Sequence, residues 1–272
     1  MLVWEWKKME KMPFPSIASV KFDTCITYNG SYITYIMIER LIPQDKSVIV
    51  AVDVKPSKIS SLIQETQFVE GIGGYKVGIS SIGVGLNQVV GTIKDETSLP
   101  VIYDHQKAGN DIPATGKDYA EMCKEAGVDS VILFPFTGPE TEVAWIRACQ
   151  DQDLHIIVGA HMTHPGFLQS QGGSIADDSP QKIFTIAVGE GVRDFVVPGN
   201  QIQYVAEYKQ LLDSLIGEGQ YRVYAPGFVT QGGEISDFAK AAGDQWHAIV
   251  GSAIYKAENM REAAEQMTKG IK

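Results

Sequence analysis

Short apolar runs alternate with longer amphipathic stretches along most of the chain. The runs are rich in Val and Ile, begin near Ser47, and are separated by segments whose apolar positions recur with helical spacing. Strands that read as continuous apolar runs are buried on both faces, which is typical of a parallel sheet. The runs are VIVAVDV (48–54), GGYKVGI (73–79), PVIYDHQ (100–106), SVILFPF (130–136), HIIVGAH (155–161), DFVVPG (194–199), YRVYAPG (221–227) and HAIVGSA (247–253).

Eight runs that alternate with helices predict a (β/α)8 TIM barrel over residues 46–272. An open, doubly wound sheet is the structural alternative. That fold usually has fewer strands and a glycine-rich first turn, whereas the first turn here is DVKPSK. Helical candidates include KDYAEMCKEAG, EVAWIRACQDQ, PQKIFTIAVGEG, QYVAEYKQLLDSLI, ISDFAKAAG and NMREAAEQMTKGI.

Residues 1–45 precede the regular alternation of apolar runs and amphipathic stretches and differ from it in sequence pattern. The stretch KFDTCITYNGSYITYI places Asn29-Gly30 between two segments rich in Thr, Tyr and Ile. Asn-Gly favours a two-residue hairpin turn because both residues tolerate positive φ. We therefore expect an N-terminal extension that contains a β-hairpin, with an irregular arm as the alternative.

Composition limits the classes of function. Hydrophobic residues make up 44% and charged residues 21% of the 272 residues, which is typical of a globular protein. The net charge of −10 disfavours a nucleic-acid partner. The three cysteines (Cys25, Cys123 and Cys149) form no CxxC motif, which favours a reducing, cytoplasmic setting. The sequence has no apolar run of about 20 residues and no signal-peptide pattern, so we expect no membrane partner.

Candidate chemistry lies where the predicted strands end, because barrel active sites are built at that face. Lys76 is unusual there, since a buried ammonium group inside an apolar run needs an anionic partner. Asp53 and Asp104 end the neighbouring strands and predict an alternating row of charges with Lys76. Lys107 and Asp111 would extend this row, and such coupled charges indicate a functional site.

Two glycine-rich segments follow the last two predicted strands, where barrels commonly bind phosphate through backbone N–H groups. They are PGFVTQGG, which contains Gln231, Gly232 and Gly233, and IVGSAIY, which contains Gly251 and Ser252. Pro198, at the end of the run DFVVPG, is a further candidate for substrate binding.

The ordered set Asp53, Lys76, DHQKAGNDIP, HMTHPG, PGFVTQGG and IVGSAIY resembles the orotidine 5′-phosphate decarboxylase family, especially its short prokaryotic and archaeal forms, over about residues 46–272. The resemblance implies a carboxy-lyase of de novo pyrimidine synthesis that converts orotidine monophosphate to uridine monophosphate without metal or organic cofactor. It implies catalytic roles for Lys107, Asp104, Asp111 and Lys76, and binding of ribose hydroxyls by Asp53 with Lys76.

The resemblance also implies a homodimer with shared active sites, in which Asp111 and Thr115 enter the partner's site. Thr163 matches a Ser or Thr that contacts the pyrimidine. Gln231 matches a Gln that touches both the phosphate and that hydroxyl group.

Two departures from the family pattern affect the expected site. The segment at the third strand reads DxxKxxxD where the family has DxKxxD, so an altered turn or bulge must restore the geometry. The family usually has VGR after the last strand, whereas this chain has Gly251-Ser252. A serine donates a hydroxyl and an N–H but supplies no fixed charge, so the phosphate is expected to rest mainly on backbone N–H groups.

Two rival functions stay open on sequence grounds. A metal-dependent sugar-phosphate decarboxylase, aldolase or epimerase would use Asp104, Asp111, His161 and His164 as metal ligands. Relatives such as keto-gulonate-phosphate decarboxylase typically carry Glu-x-Gly where this chain has Lys76-Val77-Gly78. The second rival is a non-catalytic nucleotide-binding barrel. It is suggested by the changed spacing of the DxxKxxxD segment and by the serine, Ser252, where the family has arginine.

Overall fold

The computed structural model describes residues 25–28, 31–34, 40–81, 83–105, 108–228 and 235–271. The chain divides into two units, Met1–Arg40 and Leu41–Lys272. No helix within the described ranges combines the length and the apolar character needed to cross a membrane. The predicted division into an extension over residues 1–45 and a catalytic domain over residues 46–272 stays a prediction.

The first unit contains the hairpin that the Asn-Gly signal predicts. Strand β1 (Cys25–Tyr28) pairs antiparallel with β2 (Ser31–Thr34), and Tyr28 lies opposite Ser31. This register leaves two residues for the connection, which is the loop length that Asn-Gly favours. Asn29 and Gly30 themselves lie outside the described residues.

The second unit contains a closed barrel of eight parallel strands, as predicted, with β10 hydrogen-bonded to β3. The other six strands follow in chain order between these two. The strands are β3 (Lys46–Ala51), β4 (Ile72–Val77), β5 (Val101–Tyr103), β6 (Ser130–Leu133), β7 (His155–Gly159), β8 (Asp194–Val196), β9 (Arg222–Ala225) and β10 (Trp246–Val250).

Helices surround the barrel between successive strands. Proline occupies the first turn of both α4 and α5, where its missing N–H costs nothing. The Asn259 side chain caps α9 by accepting a bond from the Glu262 N–H at 3.0 Å. The helices are α1 (Ile59–Thr66), α2 (Leu86–Glu96), α3 (Thr115–Glu125), α4 (Pro139–Asp151), α5 (Ser179–Gly189), α6 (Ile202–Ile216), α7 (Ile235–Ala242), α8 (Ser252–Tyr255) and α9 (Met260–Lys269).

The barrel strands are apolar on both faces, which explains their uninterrupted hydrophobic runs. One set of side chains fills the barrel interior and includes Ile49, Ile102 and Ile249, while the alternate residues pack against the helices. Ile42, just before β3, is fully buried in the interior set. A Cβ at Gly159 would lie 2.3 Å from the Phe134 ring, so only glycine leaves room for this aromatic side chain.

Charged residues are buried where three neighbouring strands begin, at the end of the barrel opposite the predicted site. Arg222 donates two hydrogen bonds to the Asp194 carboxylate at 2.8 and 2.7 Å. His155 Nε2 lies 3.0 Å from Asp194 Oδ2. Burial works to raise the pKa of Asp194, but His155 and Arg222 outweigh it and hold this pKa well below its ordinary value.

We expect the free energy of unfolding to fall as pH rises, because the buried carboxyl group of Glu142 loses its proton. Its side chain is buried on α4, and burial, with a smaller contribution from Glu190, raises its pKa from 4.5 to about 8. Because the folded pKa is raised, this group destabilises the fold increasingly between pH 4.5 and about 8. Glu142→Gln should raise the free energy of unfolding by about 1–3 kcal/mol at alkaline pH, since it removes the buried charge.

Urea unfolding of both proteins at pH 5 and pH 9 checks this expectation. The two curves should nearly coincide at pH 5, where Glu142 is protonated. A difference of the same size at both pH values would show that the carboxyl group does not titrate as described.

Candidate active site

The carboxyl ends of three adjacent strands bring together the predicted row of charges. Lys76 is the fifth residue of β4, Asp104 directly follows β5, and Asp53 lies two residues after β3. Lys76 Nζ is 3.0 Å from Asp104 Oδ2, and both side chains are buried, about 10% and 7% exposed. The buried lysine therefore has its anionic partner, although the close partner is Asp104 and not Asp53.

The two carboxylates keep Lys76 charged. Burial works to lower the pKa of Lys76, but the negative charges of Asp104 and Asp53 outweigh it, so this pKa lies above its ordinary value. The other carboxylate oxygen, Asp104 Oδ1, is buried and accepts no hydrogen bond from the described residues. The site thus holds a charged ammonium group beside a buried carboxylate oxygen that no described group satisfies.

Gly78 lies between the side chains of Asp53 and Lys76. A Cβ at this position would lie 3.3 Å from Asp53 Oδ1 and 3.6 Å from Lys76 Nζ. The small residue therefore lets the exposed Asp53 face Lys76 across a narrow gap. The structure thus brings together the three charges that the sequence predicted as neighbours.

Hydrogen bonds hold the loop after β5 close to Lys107, the residue predicted to be catalytic. Ala108 N–H donates to the His105 carbonyl at 2.6 Å, and its own carbonyl accepts from Phe134 N–H at 2.8 Å. The Asn110 side chain accepts a bond from Phe136 N–H at 3.0 Å. Gln106 and Lys107 lie outside the described residues, so the position of the lysine stays a prediction.

Sequence reasoning did not single out Asn110, which ties this loop to the end of β6. Its amide also donates to the Phe134 carbonyl. Gly109 beside it has φ of +88°, which favours glycine, and packs against Pro135. The sequence signal was the Gly-Asn pair, whose turn preference could have pointed to this junction.

Asp111 lies on the same loop with its side chain turned to solvent. Its carbonyl accepts a bond from Thr141 Oγ1 at 3.0 Å, and the next carbonyl, of Ile112, accepts from Trp145 Nε1 at 3.1 Å. Thr115 is half-buried at the first turn of α3, and its hydroxyl donates to the Ile112 carbonyl at 2.8 Å. Among the described residues, Asp111 thus forms no ion pair with Lys76, and it lies on an exposed segment whose backbone Thr141 and Trp145 hold.

The two histidines that a metal site would need, both on the loop after β7, differ in exposure. His161 is buried and bonded through Nδ1 to the Tyr208 hydroxyl at 2.7 Å, and burial, with a smaller effect of His164, lowers its pKa to about 4. His164 is exposed. Within the described ranges, no three His, Cys, Asp or Glu side chains come together as metal ligands.

Asn200 joins the ends of three strands, and sequence reasoning did not single it out. It follows β8, and its amide donates to the carbonyl of Thr163 at 3.1 Å. A Cβ at Gly227, just after β9, would lie 3.0 Å from Asn200 Oδ1. The half-buried Thr163 is thereby held at a fixed place on the catalytic face.

The remaining predicted binding residues lie around the last three strands. Pro198 is buried, while Gly251 and Ser252 are half-buried where β10 passes into α8. A Cβ at Gly251 would touch the Cβ of Ala51 at 3.4 Å, so this connection lies against the end of β3. Gln231, Gly232 and Gly233 fall in residues 229–234, outside the described part of the chain.

Comparison with known proteins identifies the family. Residues 46–267 match the model of a family described as "Orotidine 5'-phosphate decarboxylase / HUMPS family". An orotidine 5'-phosphate decarboxylase of Methanosarcina barkeri is 34% identical over 230 residues, which cover 82% of this chain and 94% of that protein. The corresponding protein of Methanosarcina acetivorans is 32% identical over 225 residues, with the same two coverages.

Solved structures are similar in fold. The orotidine 5'-monophosphate decarboxylase of Methanocaldococcus jannaschii, complexed with the inhibitor BMP, gives a TM-score of 0.71 at 24% identity and covers 83% of this chain and 98% of that one. The orotidine 5'-phosphate decarboxylase of Pyrococcus horikoshii gives 0.68 at 26% identity, with coverages of 82% and 98%. The match of the family model to most of the chain, together with relatives above 30% identity, leads to one conclusion: the chain belongs to the orotidine 5'-phosphate decarboxylase / HUMPS family.

Proposed function

We propose that this chain decarboxylates orotidine monophosphate to uridine monophosphate, as a cytoplasmic enzyme of pyrimidine synthesis that needs neither metal nor organic cofactor. The observation that carries the proposal is the buried pair of Lys76 and Asp104, 3.0 Å apart, with Asp53 across Gly78. Family membership over residues 46–267 supports the reaction class. Removing such charges from water costs stability, so their position at the carboxyl ends of the strands, where barrel active sites lie, favours a functional role.

The chemistry requires a fixed cation. When the carboxylate leaves the pyrimidine ring as carbon dioxide, its bonding electron pair stays on the ring carbon as a carbanion, which then takes a proton. A preorganised ammonium group stabilises this charge without reorganisation and can supply that proton. Lys107 has this role in the proposal, Asp104 lies beside the departing carboxylate, and Lys76 and Asp111 orient the row.

Binding groups surround the reacting ring in the proposal. Asp53 with Lys76 binds the ribose hydroxyls, and Thr163 contacts the pyrimidine, supported by the bond that fixes its carbonyl to Asn200. Binding energy from the remote phosphate positions the ring for reaction. Contacts to the phosphate are assigned to Gln231 and to backbone N–H groups at Gly232, Gly233, Gly251 and Ser252. Pro198 is assigned to substrate binding.

A substrate comparison tests the proposed reaction against the sugar-phosphate alternative. The purified chain is supplied with orotidine monophosphate or with keto-gulonate phosphate, each with and without Mg²⁺. We expect turnover of orotidine monophosphate with or without Mg²⁺, and no turnover of keto-gulonate phosphate. Turnover restricted to the sugar phosphate in the presence of the metal would replace the proposal by its rival.

The proposal includes a homodimer formed by the loops after β4 and β5. Ile79 is 74% exposed and Ile112 is 61% exposed, and exposed apolar side chains that lie close together are typical of protein interfaces. Both follow adjacent strands, and the bonds from Thr141 and Trp145 hold the Asp111–Ile112 backbone rigid. A rigid, exposed apolar side chain beside an exposed carboxylate suits insertion into a second copy.

Mixed dimers test whether the active sites are shared. Lys107→Ala and Asp111→Ala homodimers should each be inactive, but a heterodimer of the two should regain part of the activity. One of its two sites would receive intact Lys107 and intact Asp111 from different chains. Activity is measured on heterodimers purified with two affinity tags, and complete inactivity of such a verified heterodimer argues against shared sites.

A further inference from the structure

Positive charge is scarce at the catalytic end of the barrel. Between the eight strands and the helices that follow them, the sequence contains three lysines, Lys55, Lys58 and Lys107, and no arginine. Lys76 lies inside β4 and is paired with Asp104. The proposed chemistry assigns Lys107 to the reacting carbon, so a phosphate group bound at this face would have Lys55 and Lys58 as its remaining loop cations.

The topology places the connection that carries these two lysines next to the connection that carries Gly251 and Ser252. The lysines lie on the connection from β3 to α1, and β3 pairs directly with β10 in the closed barrel. The end of β10 touches the end of β3, since a Cβ at Gly251 would lie 3.4 Å from the Cβ of Ala51. Barrels commonly bind phosphate at the loops after their last two strands, next to a short extra helix, which here is α8.

A single turn brings the two lysines together. Lys58 N–H donates to the Lys55 carbonyl at 2.8 Å, and Pro56 fixes the backbone between them. Both side chains are exposed, and neither forms an ion pair within the described part of the chain. The nearest acidic residue in sequence, Asp53, faces Gly78 and Lys76. The turn thus presents two ammonium groups that no carboxylate of the described barrel neutralises.

We propose that Lys55 and Lys58 bind the phosphate of the nucleotide and supply the positive charge that Ser252 lacks. This inference rests on the proposed function, because it takes the nucleotide as the ligand. Lysine binds phosphate as a mobile point charge on a flexible stem, so the contact forms as the ligand arrives. Such binding weakens as salt concentration rises, because the lysines remain partly solvated.

The test is the difference in affinity between uridine monophosphate and uridine, measured by calorimetry. In a Lys55→Ala/Lys58→Ala variant, affinity for the monophosphate should fall about tenfold or more, the effect of losing one or more charge-assisted bonds. Affinity for uridine, which has no phosphate, should not change. Adding Ser252→Arg to the double variant should restore much of the lost affinity, because it returns a charge to the same place.

Substitutions of two other lysines serve as controls for a nonspecific loss of positive charge. Lys182→Ala removes an exposed lysine near the start of α5 that pairs with Asp178, and it should leave both affinities unchanged. Equal affinities of wild type and double variant for the monophosphate would overturn the inference, as would a loss produced instead by Lys256→Ala. Because this readout needs no turnover, failure of the lysine inference can be told apart from failure of the proposed reaction.

Discussion

Replacement of Lys107 by alanine is expected to reduce turnover of orotidine monophosphate by roughly 10⁴-fold or more. The variant loses the cation that stabilises the developing carbanion and also the group that supplies its proton, and the two losses act on the same step. The kcat should therefore fall far more than KM rises, because the interaction is made mainly in the transition state. Asp104→Asn should also be severe, since it leaves Lys76 without its charged partner at nearly constant shape.

Single-turnover kinetics measures the loss, with Lys117→Ala as the control. Lys117 is an exposed lysine on the first turns of α3 that pairs with Glu121, so its removal changes the net charge equally. The melting temperature of Lys107→Ala should stay close to that of wild type. Near-normal kcat in a folded Lys107→Ala protein would disprove the assignment of this lysine.

The second large effect concerns the buried ion pair at the opposite end of the barrel. Arg222→Met should lower the free energy of unfolding by about 3–5 kcal/mol, because it leaves the Asp194 carboxylate buried without its main donor. Asp194 and Arg222 are 1% and 6% exposed, so water cannot replace the lost bonds. Urea or guanidinium unfolding near neutral pH measures the change.

A second substitution separates charge from packing. Arg222→Met combined with Asp194→Asn removes both charges, so the double variant should be less destabilised than the sum of the two single variants. Arg147→Met serves as control, since Arg147 pairs with Glu190 at the surface and its loss should matter much less. Strict additivity of the two buried substitutions would show that the ion pair does not couple these residues.

Hydrophobic patterning predicted most of the fold. Strands buried on both faces leave uninterrupted apolar runs, so all eight barrel strands could be located from the sequence. The hairpin followed from the conformational freedom of Asn-Gly. The short helix α8 was not predicted, because four residues carry too little periodic pattern to be distinguished from a turn.

The part of the site around Lys76 could be predicted, because a charged side chain inside an apolar run is costly to bury without a partner. A lysine inside the run GGYKVGI demanded an anionic partner, and the structure supplies Asp104. The Asp194 and Arg222 pair was not foreseen, because their contact depends on the register that places them opposite each other in β8 and β9. Asn110 and Asn200 were missed for a different reason, since both bind backbone carbonyl groups of loops that are distant in sequence.

Decarboxylation of orotidine monophosphate by the chain's own residues is the proposed function. The most direct test incubates the purified protein with this nucleotide in the presence of EDTA and follows uridine monophosphate and carbon dioxide. We expect multiple turnovers, with equal amounts of both products and no requirement for added metal. Absence of product from folded protein, or product that forms only after a divalent metal is returned, would refute this function.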